Sequence, residues 1–553
     1  MTGFAQFIVE FDDVPEESLE FFSGEYTQSL GEGFSIVYSP WDEVIDKMYR
    51  GVYPYYSVPK LYGFDDTPFA VNSSGMQVTM EEAGISDVKE QPFLNLSGNG
   101  IAIGVIGGSF DYTTEYLRYS NGDTRFNAIW DQTTDTGNNP DGFIYGSYYS
   151  ESDINNSLND GESLWTYDGE SNTNKLMKII CGNINSDAPE NRFEGIAPNS
   201  TLIAVKLKEA EDNLKDFYGI DRDVNVYSEA DIMAGISFIY QTASSLGLPI
   251  VLLINCNGRM GGHTGRLPLD IFSGEIGDRY GVCVVGTTGD SANKRKHYEG
   301  SFLGFENNEV QKVEIRVNDK NGIYTELWTE SPESYSVSIT SPSGEVIDRV
   351  SKSERASMYE FVFSDSYAFI ENRIAEGRDN NPVVIIKIIN PSSGIWTVNV
   401  YGENIVSGRY HMWLTDSSFT SDDTYFLNPS PYVTLTDIST TESMITVSSY
   451  NPVTEGINVE SGRGFTRNGR VKPELTVASL PDGITDSSAA VCAGAAALVF
   501  EWAIIKNNSP AVRTGEVKNF LINGAIRNRD INYPSEIYGY GKMNLYNSFE
   551  RYR

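Results

Sequence analysis

Gly98-Asn99-Gly100-Ile101-Ala102-Ile103-Gly104-Val105-Ile106-Gly107-Gly108-Ser109-Phe110-Asp111-Tyr112 is the stretch on which the fold turns. From Ile101 to Ile106 it is apolar or small at every position, with no polar alternation. A half-exposed strand alternates. A strand buried on both faces, as in a parallel sheet covered by helices, reads as a continuous run. The same texture recurs at 202–205, 250–254 and 282–285. Helical patterns at 176–181 and 228–245 lie between these runs. Strand and helix in alternation predict an α/β domain.

Working outward, residues 1–90 read as a small α+β module. Phe7 to Phe11 and Gly33 to Tyr38 read as strands, Glu16 to Phe22 and Trp41 to Tyr49 as short helices, and the Tyr- and Pro-rich run 52–63 as extended chain. Past residue 310 the texture becomes strict alternation, as in Val310-Gln311-Lys312-Val313-Glu314-Ile315-Arg316-Val317, with turns such as Pro342-Ser343-Gly344 between runs. That is an all-β sandwich or jelly roll. After about 430 the α/β texture returns, with helices at 489–504 and 515–526. The expected order is a 1–90 module, an α/β domain in two parts (91–309 and 431–553), and a β unit (310–430) inserted between them.

Composition narrows the function classes. Asp+Glu number 76 against 41 Lys+Arg, a formal net charge of −35. Such a surface repels phosphate backbones, so nucleic acid is not an expected partner. The opening residues show no basic, apolar leader pattern. No run of about 18 apolar residues is read, so no membrane insertion is expected. Cys181, Cys256, Cys283 and Cys492 sit singly in apolar surroundings, and are expected to be buried free thiols rather than metal ligands.

Several phrases, in order from residue 98 to the C-terminus, carry a resemblance. They are the strand 98–112, Ala128 to Thr133, Gly195-Ile196-Ala197-Pro198 with 202–206, Ile254 to Gly258, Gly289 to Tyr298, Gly464 to Glu474, Ala493 to Leu498, and Gly539 to Asn544. Together the chain resembles the subtilase family of serine proteases and, within it, the Csp proteases of clostridial spore germination. The resemblance implies an α/β subtilisin-like parallel-sheet domain, an N-terminal α+β propeptide and an inserted jelly roll.

It also implies where catalytic residues belong. Acyl transfer in this family needs a nucleophilic hydroxyl, an imidazole base, an orienting carboxylate and an oxyanion donor. On the matched motifs, Gly107 stands at the carboxylate, Asn172 at the imidazole, Asp290 at the donor Asn and Asp486 at the nucleophile. A shift of one residue would bring Ser487 to the last position. Asp111 matches a second family Asp and is out of register for the first. The chain's only histidines, His263, His297 and His411, lie outside the imidazole motif. In subtilisin itself, removing the Ser or the His costs about 2 × 10⁶ in turnover.

The expectation is therefore an inactive member of the Csp group, of the CspA or CspC kind. Residues 1–90 should stay attached and lie over the old cleft. Such a protein would regulate germination by relaying a germinant signal, or by contacting an active Csp protease or the zymogen of a cortex hydrolase. The resemblance places it in the spore cortex or coat layers, made in the mother cell. The alternatives are a ligand- or cation-binding module, a structural scaffold of the spore and, last, a residual serine protease. The cleft residues Asn255, Asn257 and Gly258 are candidate binding positions. Asp290 and Asp486 are expected to face each other, with Lys175, Lys178 or a Ca²⁺ ion offsetting their charge. His297 reads as a packing residue, and His263 as lying near the cleft.

Overall fold

The computed structural model describes residues 3–10, 24–165, 167, 171–183, 193–302, 310–318, 322–351, 355–376, 378–416 and 418–552. At its centre is an eight-stranded sheet. Its strands run, edge to edge, Leu475–Ala478, Ile445–Tyr450, Val282–Thr287, Ile250–Ile254, Ala102–Gly107, Thr201–Lys206, Phe126–Asp131 and Ser147–Ser150. Neighbours are parallel except for the last strand, an antiparallel edge. The strand that decided the class sits in the middle, with all of Ala102–Gly107 buried. Ile103 and Val105 face one apolar core, with the helices Asn172–Cys181 and Thr485–Phe500. Ala102 and Ile106 face the other, with Glu229–Leu246 and Pro268–Gly277. Two helical layers explain why the strand shows no alternation. All four cysteines are free and buried.

One expectation needs correcting. The helical stretch Thr485–Ile505 is long and apolar enough to cross a membrane, although no such run is evident from the sequence pattern. Within this fold 83% of that window is buried, as suits a core helix.

In the N-terminal sheet, Phe34–Pro40 lies between Phe4–Glu10 and a third strand, Tyr26–Gly31, which the sequence reading missed. Helix Trp41–Tyr49 follows as expected. The helix expected at Glu16 to Phe22 lies outside the described residues. This sheet rests on helix Glu229–Leu246: Gln6 Nε2 donates to Asp231 Oδ1 at 2.8 Å and Ser237 Oγ to the Leu30 carbonyl at 2.6 Å. Helices Ser73–Glu82 and Ile85–Lys89, counted within the first 90 residues, instead place Met76, Ile85 and Val88 in the main α/β core.

The inserted unit is a sandwich of a six-stranded and a five-stranded sheet. It begins before residue 310, because His297–Ser301 pairs with Arg409–Leu414 at the edge of the six-stranded sheet. Leu327, Ile386, Trp396 and Met412 fill the space between the sheets. The outer face of the six-stranded sheet packs Tyr324, Trp328, Val383 and Ile385 against Tyr53 and Tyr55 of the chain leaving the N-terminal module. Buried acids fix that contact. Tyr55 Oη donates to Glu326 at 2.6 Å and Tyr53 Oη to Glu371 at 3.0 Å, while Arg373 Nη1 donates to the Tyr53 carbonyl at 2.9 Å.

Candidate functional site: a filled cleft

Ligands in open α/β sheets bind beyond the carboxyl ends of the strands. Here that rim carries Gly107, Asn255 and Thr287 to Asp290, each at or just after the end of a strand. Asp486 completes it in the first turn of helix Thr485–Phe500. Of the sequence-predicted positions, Asn255, Asp290 and Asp486 come together. Asn255 Nδ2 donates to Asp486 Oδ2 at 3.0 Å. Burial first, then the charge of Asp65, pushes the Asp486 carboxyl well above the usual carboxylate range, and Asp290 adds to it. The helix N-terminus works in the opposite direction, favouring the anion. Asp290 is pushed up to about 7, by burial first and then by Asp416 and Asp65. Its carboxylate accepts a hydrogen bond from Ser291 Oγ at 3.0 Å.

The charge that faces Asp290 is not the one expected. Lys175 lies 5.1 Å over the ring of Phe69, and Lys178 lies over Tyr116 and Phe193 at 5.1 Å each. Instead Arg259, two residues past Asn257, lowers the Asp290 pKa, and Asp290 in turn raises that of Lys294. Arg259 is tied to Asp416 of the β unit, Nε to Oδ2 at 3.0 Å, both side chains buried. Burial raises the Asp416 pKa, but Arg259 and the hydrogen bonds from Ser418 outweigh it and hold this carboxyl below the usual range. Among the described residues no group of three or more His, Cys, Asp or Glu side chains is arranged to hold a metal ion.

The cleft is occupied by the chain itself. Leu61–Tyr62 pairs antiparallel with Tyr227–Ser228 on one side. On the other, Gly63 N donates to the Asn257 carbonyl at 3.0 Å and Asn257 N returns a bond to Gly63 O at 2.8 Å. The segment is thus an extra strand laid between two walls. Gly258 permits this: a Cβ there would meet the Tyr62 ring at 2.7 Å and the Asp437 carboxylate at 2.8 Å. Beyond Gly63 the segment passes Asn172, whose Nδ2 donates to the carbonyls of Asp65 (2.6 Å) and Thr67 (3.0 Å). Asn172 opens its helix behind the N-cap Ser171, whose Oγ accepts from Thr173 N at 3.0 Å.

Gly107 has no room for a side chain. A Cβ at 107 would stand 2.5 Å from Thr173 Oγ1 and 2.8 Å from its Cγ2. Asp111 does not reach in to replace it. Its carboxylate accepts from Thr113 N (2.8 Å) and Oγ1 (2.6 Å), closing a local turn.

The path of the chain can be compared with solved structures. It matches the CspB protease of Clostridium perfringens with a TM-score of 0.71 and 23% identity, over 85% of this chain and 96% of that one. The chain has the fold of that protease. Two further solved proteins match more loosely. The prenylagaramide maturation protease PagA has a TM-score of 0.37 and 11% identity, over 84% of this chain and 98% of that one. The subtilisin-like protease Apa1 of an Antarctic Pseudoalteromonas sp. AS-11 has a TM-score of 0.33 and 10% identity, over 84% and 96%. No family model and no curated protein sequence matches the chain.

On the CspB-like fold the chemistry depends on which side chains stand where. Ser487, the alternative to Asp486, is fully buried; its Oγ donates to the Ile484 carbonyl at 2.7 Å and accepts from Leu480 N at 3.3 Å. The three imidazoles gather on one residue of the β unit. His263, His297 and His411 stack on Trp413 with ring centroids at 4.1, 4.9 and 5.4 Å. His297 Nε2 and His411 Nδ1 are 3.1 Å apart. His297 is a packing residue as read, but in a strand rather than a loop.

Proposed function

We propose that this chain is a pseudoprotease of the Csp type, which acts by binding and does not cut. The observation that carries the reading is the hydrogen bonding of Asn172. At the position where the family resemblance puts the base, an amide spends both of its N–H groups on the chain's own backbone at Asp65 and Thr67. An amide cannot accept the nucleophile's proton near neutral pH. The strand 61–63 beside it blocks the groove a substrate would enter. In this reading residues 1–90 remain attached as a permanent plug.

A plugged, non-cutting relative of a germination protease suits a regulator. Its outer surfaces would contact an active Csp protease or the zymogen of a cortex hydrolase, in the cortex or coat layers, under the control of a germinant. Spores of the producing organism that lack this protein test the proposal. Germination should be altered, and restored equally by the wild type and by Ser487→Ala. No phenotype, or rescue that fails with a folded Ser487→Ala protein, would overturn it.

A further inference from the structure

The β sandwich is not closed at one end. There, strands Ile323–Thr329, Asn381–Ile389 and Tyr367–Glu376 of the six-stranded sheet face Ser334–Thr340 and Gly394–Asn404 of the other. They leave a cavity of about 280 Å³. Its floor is apolar, with Leu327, Tyr335 and Val384 from the sandwich core. Pro332 and Pro382 line its walls, and Ile374 lines it while 76% exposed.

Among the polar residues of its lining, Thr329 and Glu333 bear most directly on its chemistry. Thr329 lines the cavity and is 2% exposed, yet among the described residues its Oγ1 has no hydrogen-bond partner. A buried hydroxyl without a partner costs free energy that a ligand could recover. Glu333 is the opposite case. Its Oε1 accepts from Val406 N (3.2 Å), Ser407 N and Gly408 N (2.9 Å), and its Oε2 from Tyr335 Oη (2.7 Å). These bonds outweigh burial and hold the carboxyl below the usual range. The cavity thus offers an open hydrogen bond at Thr329 beside the fixed negative charge of Glu333, and Arg373, which also lines it, is ion-paired with Glu371, so the lining does not favour an anion.

We propose that this wedge is a binding site for a small uncharged ring compound carrying one hydroxyl or amide group. The volume fits the class: a cavity of about 150 Å³ holds benzene, so this one has room for two fused rings. It also lies where occupancy would be felt by the plug. Asn372, Arg373 and Ile374 line the cavity, and on the same strand Glu371 and Arg373 hold Tyr53. A ligand that stiffens this strand end stiffens the grip on the segment leading to residues 61–63. This last consequence rests on the plugged-cleft reading; binding in the wedge does not.

The probe is 2-naphthol, with 2-naphthoate as the anionic control, added to the full-length protein. Saturation-transfer NMR should show 2-naphthol bound at sub-millimolar concentration and 2-naphthoate at least tenfold weaker. Thr329→Val, which keeps the shape and deletes the hydroxyl, should weaken 2-naphthol about fivefold, the worth of one hydrogen bond. Ile374→Trp, at an exposed position where folding is not at stake, should block the mouth and abolish binding. Amide hydrogen exchange at 51–58 should slow several-fold in the presence of the probe. No binding at millimolar 2-naphthol, or unchanged affinity in both variants, overturns the site. Binding with unchanged exchange at 51–58 overturns the link to the plug and leaves the site standing.

Discussion

Gly107 and Thr173 should behave as one unit. A Cβ placed on Gly107 stands 2.5 Å from Thr173 Oγ1, 2.8 Å from Cγ2 and 3.1 Å from Cβ. The first two lie below any real contact. A β-branched side chain in a helix has little rotamer freedom with which to retreat, and Thr173 sits in the first turn of Asn172–Cys181. Gly107→Ala should therefore cost about 1–3 kcal/mol, the usual range for overpacking. The gain of up to about 1 kcal/mol from a stiffer unfolded chain offsets only part of it. Thr173→Gly alone should cost about 1 kcal/mol of helix propensity and lost packing. In the double variant the methyl group added at position 107 enters the space that Thr173 leaves. The two changes together should then cost at least about 1 kcal/mol less than their sum. Urea midpoints followed by far-ultraviolet circular dichroism, across all four proteins, give this coupling. Additivity within about 0.5 kcal/mol would mean that Thr173 does not fill the place of a side chain at position 107. The steric account of Gly107 would then fail.

Three further outcomes are expected. Asn172→Ala removes two hydrogen bonds from the 65–67 backbone, so amide exchange across 64–68 should quicken about tenfold with little change in global stability. Unchanged exchange would show that Asn172 is not what pins the plug. Burial drives the His263 pKa well below its ordinary value, and Arg259 and His297 add to this; burial likewise takes His297 down to about 3. Groups held neutral in this way contribute stability that is complete above about pH 6.5 and is lost as pH falls toward their folded values. His263→Phe should thus gain on the wild type by about 2 kcal/mol between pH 8 and pH 5, read from paired urea titrations. A pH-independent difference would mean that His263 does not titrate in this window. Asp290, raised to about 7, has the opposite sign: it weakens the fold as pH rises from about 4 through 7, so Asp290→Asn should be relatively more stabilising at pH 8 than at pH 4. The reverse trend in melting temperature would count against the reading of that carboxyl as one whose burial outweighs its favourable partners.

The parallel strands were legible because burial on two faces leaves an unbroken apolar run, as at Ile101 to Ile106, and the sandwich because burial on one face leaves alternation, as at Val310 to Val317. Tyr26–Gly31 was missed because its alternation is spelt with Gln28 and Ser29 rather than with branched apolar residues. Gln28 is nonetheless buried at the sheet interface. The start of the β unit was placed late because His297–Ser301 pairs only with a strand more than a hundred residues away, a contact local patterning does not encode. Asn172, Asp290 and Asp486 were singled out by motif order. Their neighbours were not. Arg259 with Asp416, Thr173 against Gly107, and the three histidines around Trp413 arise where two sheets and a helix meet, and no spacing along the chain announces them. The lysines illustrate the same limit: Lys175 and Lys178 follow Asn172 within two helical turns, but their ammonium groups turn to aromatic rings.

The most direct test of the central claim is intact mass. The full-length protein would be made in a protease-deficient host, purified, and followed for days at neutral pH beside a variant carrying Gly107→Asp, Asn172→His, Thr173→Gly, Asp290→Asn and Asp486→Ser. A single uncut mass for the unaltered protein throughout is the predicted result, and cutting regained near residues 61–70 in the variant would also verify the four motif positions. An unaltered protein that severs its own chain in that segment would contradict the account, because a working nucleophile and base would then exist outside the residues assigned here.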